Sequence, residues 1–450
     1  MAETENHLES AEFKRILDIG LGRAILYLQN HDSTPHRDAI LNACLHNTAM
    51  DRQVEGTRSQ YMTDVVRLTG DMEFYREQVF SALSAGGYDD YDTQHQLVFA
   101  SILAGEGDER ARQIVYDTIQ RNIDDDILPL VLINMDGLQG FTFIVERLLE
   151  TQREVSDLDF TVEHLIDVLE DRDGIKQTQR KLKQYIAQNP QAAPLIQAAF
   201  SRREQGKQAF RKRRNPEHFS YEDVKIWMDS PDTLKSPPVH WVVWGQHSTV
   251  EELDRAAQDF LQVDDADTRR IWAYVQIFRD RVFPLEPDRL IEWAKHLGEK
   301  PIRRSDGTVD HEARMPYYAL SSLSLLTHPK VRAFALSMIE QSKEAGRVVR
   351  LLAANYQKGD WQFIASLTSQ NLDNEDYHSL EYSVEDVFKA HPSDEAIPAL
   401  TNLYEHGPTS TCRRRVVQYL DSLDAVPDWM REECRYDSNA DLREFARQYF

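Results

Sequence analysis

The sequence predicts an all-α protein built of stacked antiparallel helical hairpins, and three observations carry that expectation. Apolar residues recur with the helical period, capping residues precede the recurring stretches, and glycine or proline breakers cut the chain into pieces of one to two helices. Ala111, Ile114, Val115, Thr118 and Ile119 fall at i, i+3, i+4, i+7 and i+8, which is one face of an α-helix. The same offsets return in Val331, Phe334, Ala335, Met338 and Ile339, and again in Leu442, Phe445, Ala446, Tyr449 and Phe450. In each copy an arginine directly follows the first core position: Arg112, Arg332 and Arg443. Weaker versions surround Arg270 and Arg414.

Helix starts are legible upstream of the clear copies, at Asp108, at His328-Pro329 and at Asn439. Asp and Asn side chains accept from the unpaired N–H groups of a first turn, and proline fits there because no donor is needed. Capping-box spacing occurs at Ser248 to Glu251 and at Thr249 to Glu252. Turns are expected at Gly70-Asp71, Gly86-Gly87, Gly105 to Gly107, Asp173-Gly174, Asn189-Pro190, Pro284 to Pro287, Gly359-Asp360 and Gly407-Pro408. Period-2 alternation is scarce. Its best case, Val239, Trp241 and Val243, stands beside Pro237-Pro238 and reads as the start of a buried helix.

A helix with one apolar face needs neighbours to hide it, which is the physical basis of helical repeat stacks. The segments from His328 to Ile339 and from Asn439 to Phe450, a cap followed by an apolar-Arg core, resemble the second helix of HEAT repeats. That resemblance, to the armadillo-like α-solenoid superfamily, implies paired antiparallel helices, an irregular right-handed α-α superhelix and a concave surface used for protein binding. It implies an architecture and no activity.

Composition narrows the classes. Hydrophobic residues make up 41% and charged residues 28% of 450, as in folded proteins and unlike disordered ones. The longest apolar runs, such as Ile127 to Ile133, fall short of the roughly 20 residues a membrane span needs, so no membrane partner is expected. The first ten residues are acidic and polar, without the pattern of a secretory signal. Cys44, Cys412 and Cys434 match neither a disulfide framework nor zinc-ligand spacing. Together these features predict a reduced, cytoplasmic protein with buried thiols.

The net charge of -23 is uneven. Residues 1–171 hold 33 acids and 13 bases, whereas residues 172–214 hold 2 acids and 12 bases. Charge, prolines and the confinement of all seven tryptophans to the stretch from Trp227 onward suggest three parts. These are an acidic helical lobe over 1–190, a basic helix and proline-containing hinge over 191–237, and a tryptophan-containing lobe over 238–450.

Candidate binding residues are few. Arg202, Arg203, Lys207, Arg211, Lys212, Arg213 and Arg214 cluster at the end of one helix. They can neutralise phosphates of a nucleic acid, or dock on the acidic lobe of the same chain. Trp241 and Trp244, with Trp272, Trp293 and the acids Asp264, Asp265 and Asp267, can line a pocket for a planar ligand or a flipped base, as in HEAT-like DNA glycosylases, or they can fill the core. Arg58, after Gly56 and Thr57, can stand on an inner rim as an anion contact, or be a surface residue behind a turn at Gly56 and a cap at Thr57. The 15 histidines do not assemble into a metal pattern, and Asp124-Asp125-Asp126 lacks the alternation of a calcium loop and reads as a helix cap. No cofactor motif occurs. The sequence therefore predicts a non-enzymatic protein-binding scaffold, with nucleic-acid binding through 202–214 as the alternative.

Overall fold

The computed structural model describes residues 8–151, 154–214, 219–230, 240–305, 309–341 and 344–450, with the side chains of 155–157 and 207–214 outside that set. The described residues form α-helices joined by short turns and 3-10 segments, with no β-strand and one isolated antiparallel bridge between Arg303 and Val309. None of these helices is long and apolar enough to cross a membrane.

Local signals act where the residues place them. Asp108 accepts from Ala111 N at 3.0 Å, His328 from Lys330 N at 3.2 Å, and Asn439 from Leu442 N at 3.0 Å. Of the two overlapping capping boxes, Thr249–Glu252 forms, and it starts the helix Val250–Gln262. Asp125 turns the chain into Leu128–Asp136 by accepting from Ile127 N and Leu128 N, both at 2.7 Å. Trp241–His247 is a helix, as read from the alternation there; Val239 lies outside the described residues.

The recurring core positions are mostly buried. In Pro329–Glu340 all five are, with Phe334 at 7% exposure. Each of the four larger ones is worth roughly 1.5–3 kcal/mol against leaving it in water, well above the few tenths per residue that propensity supplies. The copy ending at Phe450 is looser: Leu442 and Ala446 are buried, Phe445 is half-buried, and Tyr449 is 59% exposed.

Two compact units emerge, one of residues 1–214, 409–414 and 427–450, the other of 215–408 and 415–426. The division near 214 falls inside the 191–237 segment singled out by charge and proline. The sequence reading placed 409–414 and 427–450 in the C-terminal lobe, whereas these segments cluster with the first unit. In that unit Ser438 N donates to Gly20 O at 2.9 Å, and Arg23 pairs with Glu433 at 2.5 Å. A Cβ on Gly22 would lie 1.9 Å from Glu433 O, so glycine there permits the close approach.

Within the first unit the helices Ser10–Asp18, Arg37–Leu45, Ser59–Thr69, Asp90–Gly105, Leu128–Asp136, Val155–Asp173 and Ala193–Arg214 each pack on the next of that series. Met72–Ala85, Glu109–Arg121 and Leu138–Glu150 lie between them in sequence and pack on members of the series. In the second unit Trp241–His247 packs on Thr268–Ile277, which packs on Met315–Leu323, and Asp360–Thr368 packs on Ile397–His406.

The arginines noted from sequence link these pieces. Arg112 pairs with Asp136, and Arg414 with Asp441. Arg332 holds both carboxylate oxygens of Asp360 at 2.8 Å and also donates to Asn355 O at 2.8 Å. In these three cases the carboxylate lies 24 to 28 residues downstream, on a later helix. Arg270 reaches back to Asp229 at 3.3 Å, and Arg443 donates to Asp437 O and Ser438 O.

One buried polar couple sits between helices of the first unit. His95 is fully buried, with Nε2 2.9 Å from Ala43 O and Nδ1 3.1 Å from Ser59 Oγ. The carbonyl can only accept, so Nε2 carries the proton. Burial, the largest influence, depresses the His95 pKa from 6.5 to about 4. The unfolded chain therefore binds the proton first: stability is complete above about pH 6.5 and is lost as pH falls toward 4. The loss is about 3 kcal/mol. Urea midpoints across that window should show this slope in the wild type and a flatter one in His95→Gln.

Candidate binding groove

The described bases of the 202–214 stretch are tied to the acidic lobe. From the helix Ala193–Arg214, Arg202 pairs with Asp159 at 3.3 Å and Glu163 at 3.4 Å, and stacks over Phe160 at 5.1 Å. Arg203 pairs with Asp167 and, at 2.9 Å, with Glu170. All four acids belong to Val155–Asp173, the helix beneath. Of the two readings of this cluster, docking on the chain's own acids describes Arg202 and Arg203. The side chains of Lys207, Arg211, Lys212, Arg213 and Arg214 lie outside the described residues.

Arg58 occupies neither place expected for it. It is 3% exposed, pairs with buried Glu55 at 3.1 Å, and donates to Asp18 O and to Thr48 Oγ1 at 3.3 Å. Glu55 in turn accepts from Ser410 N and Ser410 Oγ, both at 2.7 Å. Burial opposes the Glu55 charge, but Arg58 and the Ser410 donors outweigh it and hold the carboxyl below its ordinary value. Gly56 does make the turn, with φ of 69°, but Thr57 does not cap the helix: Ser59–Thr69 begins after Arg58 without a side-chain cap. A local pattern shows a turn and a helix; it does not show that a segment 350 residues away closes over the arginine.

The tryptophans divide. Trp241 and Trp244 are core, at 2% and 4% exposure, and Trp244 Nε1 donates to Phe219 O at 2.9 Å. Trp272 is half-buried and its ring meets His311 edge-on at 5.5 Å. Only Trp293 joins the acids named with it, lining a groove of about 810 Å³ with Asp264 and Asp265. The other wall residues are Leu261, Val263, Asp288, Arg289, Glu292 and His296. Those from Asp288–Ala294 were missed in sequence because a separate short helix supplies them; the Pro284 to Pro287 break was the available signal.

Charge in the groove is largely spent on structure. Arg289 donates to Phe260 O at 2.6 Å and to Val263 O, closing the C-terminal carbonyls of Val250–Gln262, and to Asp265 at 2.8 Å. Lys330 bonds Asp288 at 2.8 Å and Lys295 bonds Glu292 at 2.7 Å, and these lysines hold both carboxyls below their ordinary range. Asp264 is the one groove acid without a cation partner among the described residues; it accepts from Ala266 N at 2.9 Å. The groove thus offers an indole face and one uncompensated carboxylate, a notch for a flat or cationic side chain.

Two of the N-terminal histidines serve packing. His36 is 2% exposed and stacked on Phe13 at 4.0 Å, while His31 stacks on Tyr27 at 4.2 Å. Ser59 and His95 have the spacing of a nucleophile and base, but both are fully buried and a main-chain carbonyl orients the imidazole. All three cysteines are buried, and burial raises the Cys44 thiol well above its ordinary value. No family model, curated protein or solved structure matches the chain.

Proposed function

We propose that this protein is a scaffold of stacked HEAT-like helical hairpins, an α-solenoid, whose surface binds a partner protein. The observation that carries the reading is the recurrent arginine link: Arg112, Arg332 and Arg414 each reach a carboxylate 24 to 28 residues downstream on a later helix, at Asp136, Asp360 and Asp441. A link that recurs at similar sequence spacing fits a chain built of like units, since each unit touches mainly its neighbours. Such stacks present long surfaces in place of one deep cleft, and the open Trp293 groove suits a protruding side chain of a partner. A cytoplasmic setting belongs to the proposal and rests on the three buried thiols.

The test is affinity capture with the full chain, before and after nuclease, paired with a salt titration on DNA and RNA. The expected result is a protein partner that survives nuclease and is weakened by Trp293→Ala. If no protein is retained, and nucleic-acid binding falls steeply with salt and depends on Arg211 to Arg214, the scaffold reading fails and the alternative takes its place.

A further inference from the structure

In the first unit, a cavity of about 510 Å³ opens between the helices Arg23–Leu28 and Ser59–Thr69 and the segment 435–447. Four guanidinium groups line it, Arg67, Arg435, Arg443 and Arg447, against a single carboxylate, Asp64. Two of the four are already committed to acids: Arg67 to Asp64 at 2.9 Å and to Glu106, and Arg435 to Glu432 at 2.6 Å. The other two are not. Arg443 bonds only the main-chain carbonyls of Asp437 and Ser438, and Arg447 makes no hydrogen bond or ion pair among the described residues.

Arg443 and Arg447 stand one turn apart on Ala440–Tyr449, a like-charged i,i+4 pair. Burial, the largest influence, pushes the Arg443 guanidinium below its ordinary pKa; the carboxylates of Asp437 and Asp64 oppose it, and Arg447 adds to it. An anion seated between the two guanidinium groups would offset their mutual repulsion. The surroundings specify more than charge. Tyr436 and Leu68 add an apolar wall, and the exposed Gln60 amide stands at the margin.

We propose that this cavity binds a phosphoryl group carried on a peptide side chain of the partner. A phosphoryl dianion presents three oxygens to guanidinium forks, whose planar donors match it bidentately. The cavity size is that of a site for one side chain and its neighbours. A peptide is favoured over nucleic acid because the basic cluster is small and stands on a lobe where residues 1–171 carry 33 acids and 13 bases, which repels a long phosphate backbone. The peptide carrier rests on the protein-binding reading; the anion site itself does not.

The experiment is fluorescence anisotropy on the full chain with two labelled pools of short degenerate peptides, one centred on phosphoserine and one on serine, with inorganic phosphate as competitor. The phosphorylated pool should bind at least tenfold more tightly, inorganic phosphate should displace it, and Arg447→Gln should weaken it at least tenfold. Arg447 supports no other group, so this variant should retain the wild-type circular dichroism; Arg435→Gln is the second variant. Equal binding of the two pools, or full binding by both variants, overturns the site and leaves the scaffold reading standing. Tighter binding of a short single-stranded DNA, lost in the same variants, overturns the peptide carrier and the scaffold reading together.

Discussion

Replacing Arg413 by alanine is expected to cost about 3–5 kcal/mol, the usual penalty for leaving one buried charge without its partner. Arg413 and Asp437 are both 0% exposed. Arg413 Nε donates to Asp437 at 2.7 Å, and its Nη2 donates to Ile19 O at 2.8 Å and to Gly20 O at 3.3 Å. Alanine would leave the Asp437 carboxylate without its cation and Ile19 O without its donor, while Gly20 O keeps Ser438 N. For a unit of this size the loss corresponds to roughly 6–20 °C in Tm. Far-UV circular dichroism measures the shift, and amide exchange at Gly20 and Ser438 should accelerate. The double variant Arg413→Met with Asp437→Leu should recover part of the loss, because two apolar groups leave no orphan charge. If the single variant melts within 2 °C of wild type, the buried pair is not what holds these segments together.

Trp361→Ala should produce a loss of similar size in the second unit, about 3–5 kcal/mol from lost contacts and the cavity left behind. Trp361 is 0% exposed, meets Phe388 edge-on at 6.3 Å, and donates from Nε1 to His391 O at 3.3 Å. Trp361→Phe keeps most of the volume and should cost clearly less. Six of the seven tryptophans lie within 215–408, so tryptophan fluorescence follows this unit. The fluorescence transition should move to lower urea in Trp361→Ala and stay in place in Arg413→Ala. A coincident shift of both signals in both variants would mean that the two units unfold as one.

The helical class was legible because its signals are local. The period of Val331 to Ile339, the caps at Asp108 and Asn439, and the box at Thr249–Glu252 each act within one or two turns. Even the position of the linking arginines was legible, although their partners were not, since nothing local to Arg112 or Arg332 points to Asp136 or Asp360. The candidate sites fared worse for the same reason. Arg58 reads as a rim or surface residue until Ser410 and Glu55 are brought to it, and Trp241 and Trp293 look alike until only one of them meets Asp264. The arginine cavity combines residues near 67 with residues near 443, a combination that no periodicity can announce.

The seating of 427–450 against residues 19–23 also bears on how the molecule is made. A contact such as Ser438 N to Gly20 O joins positions more than four hundred residues apart, so the first unit cannot finish folding until the segment around residue 438 has left the ribosome. Until then Tyr61, Leu21 and their neighbours would wait with one flank uncovered, the kind of long-range closure that slows folding and leaves apolar surface exposed.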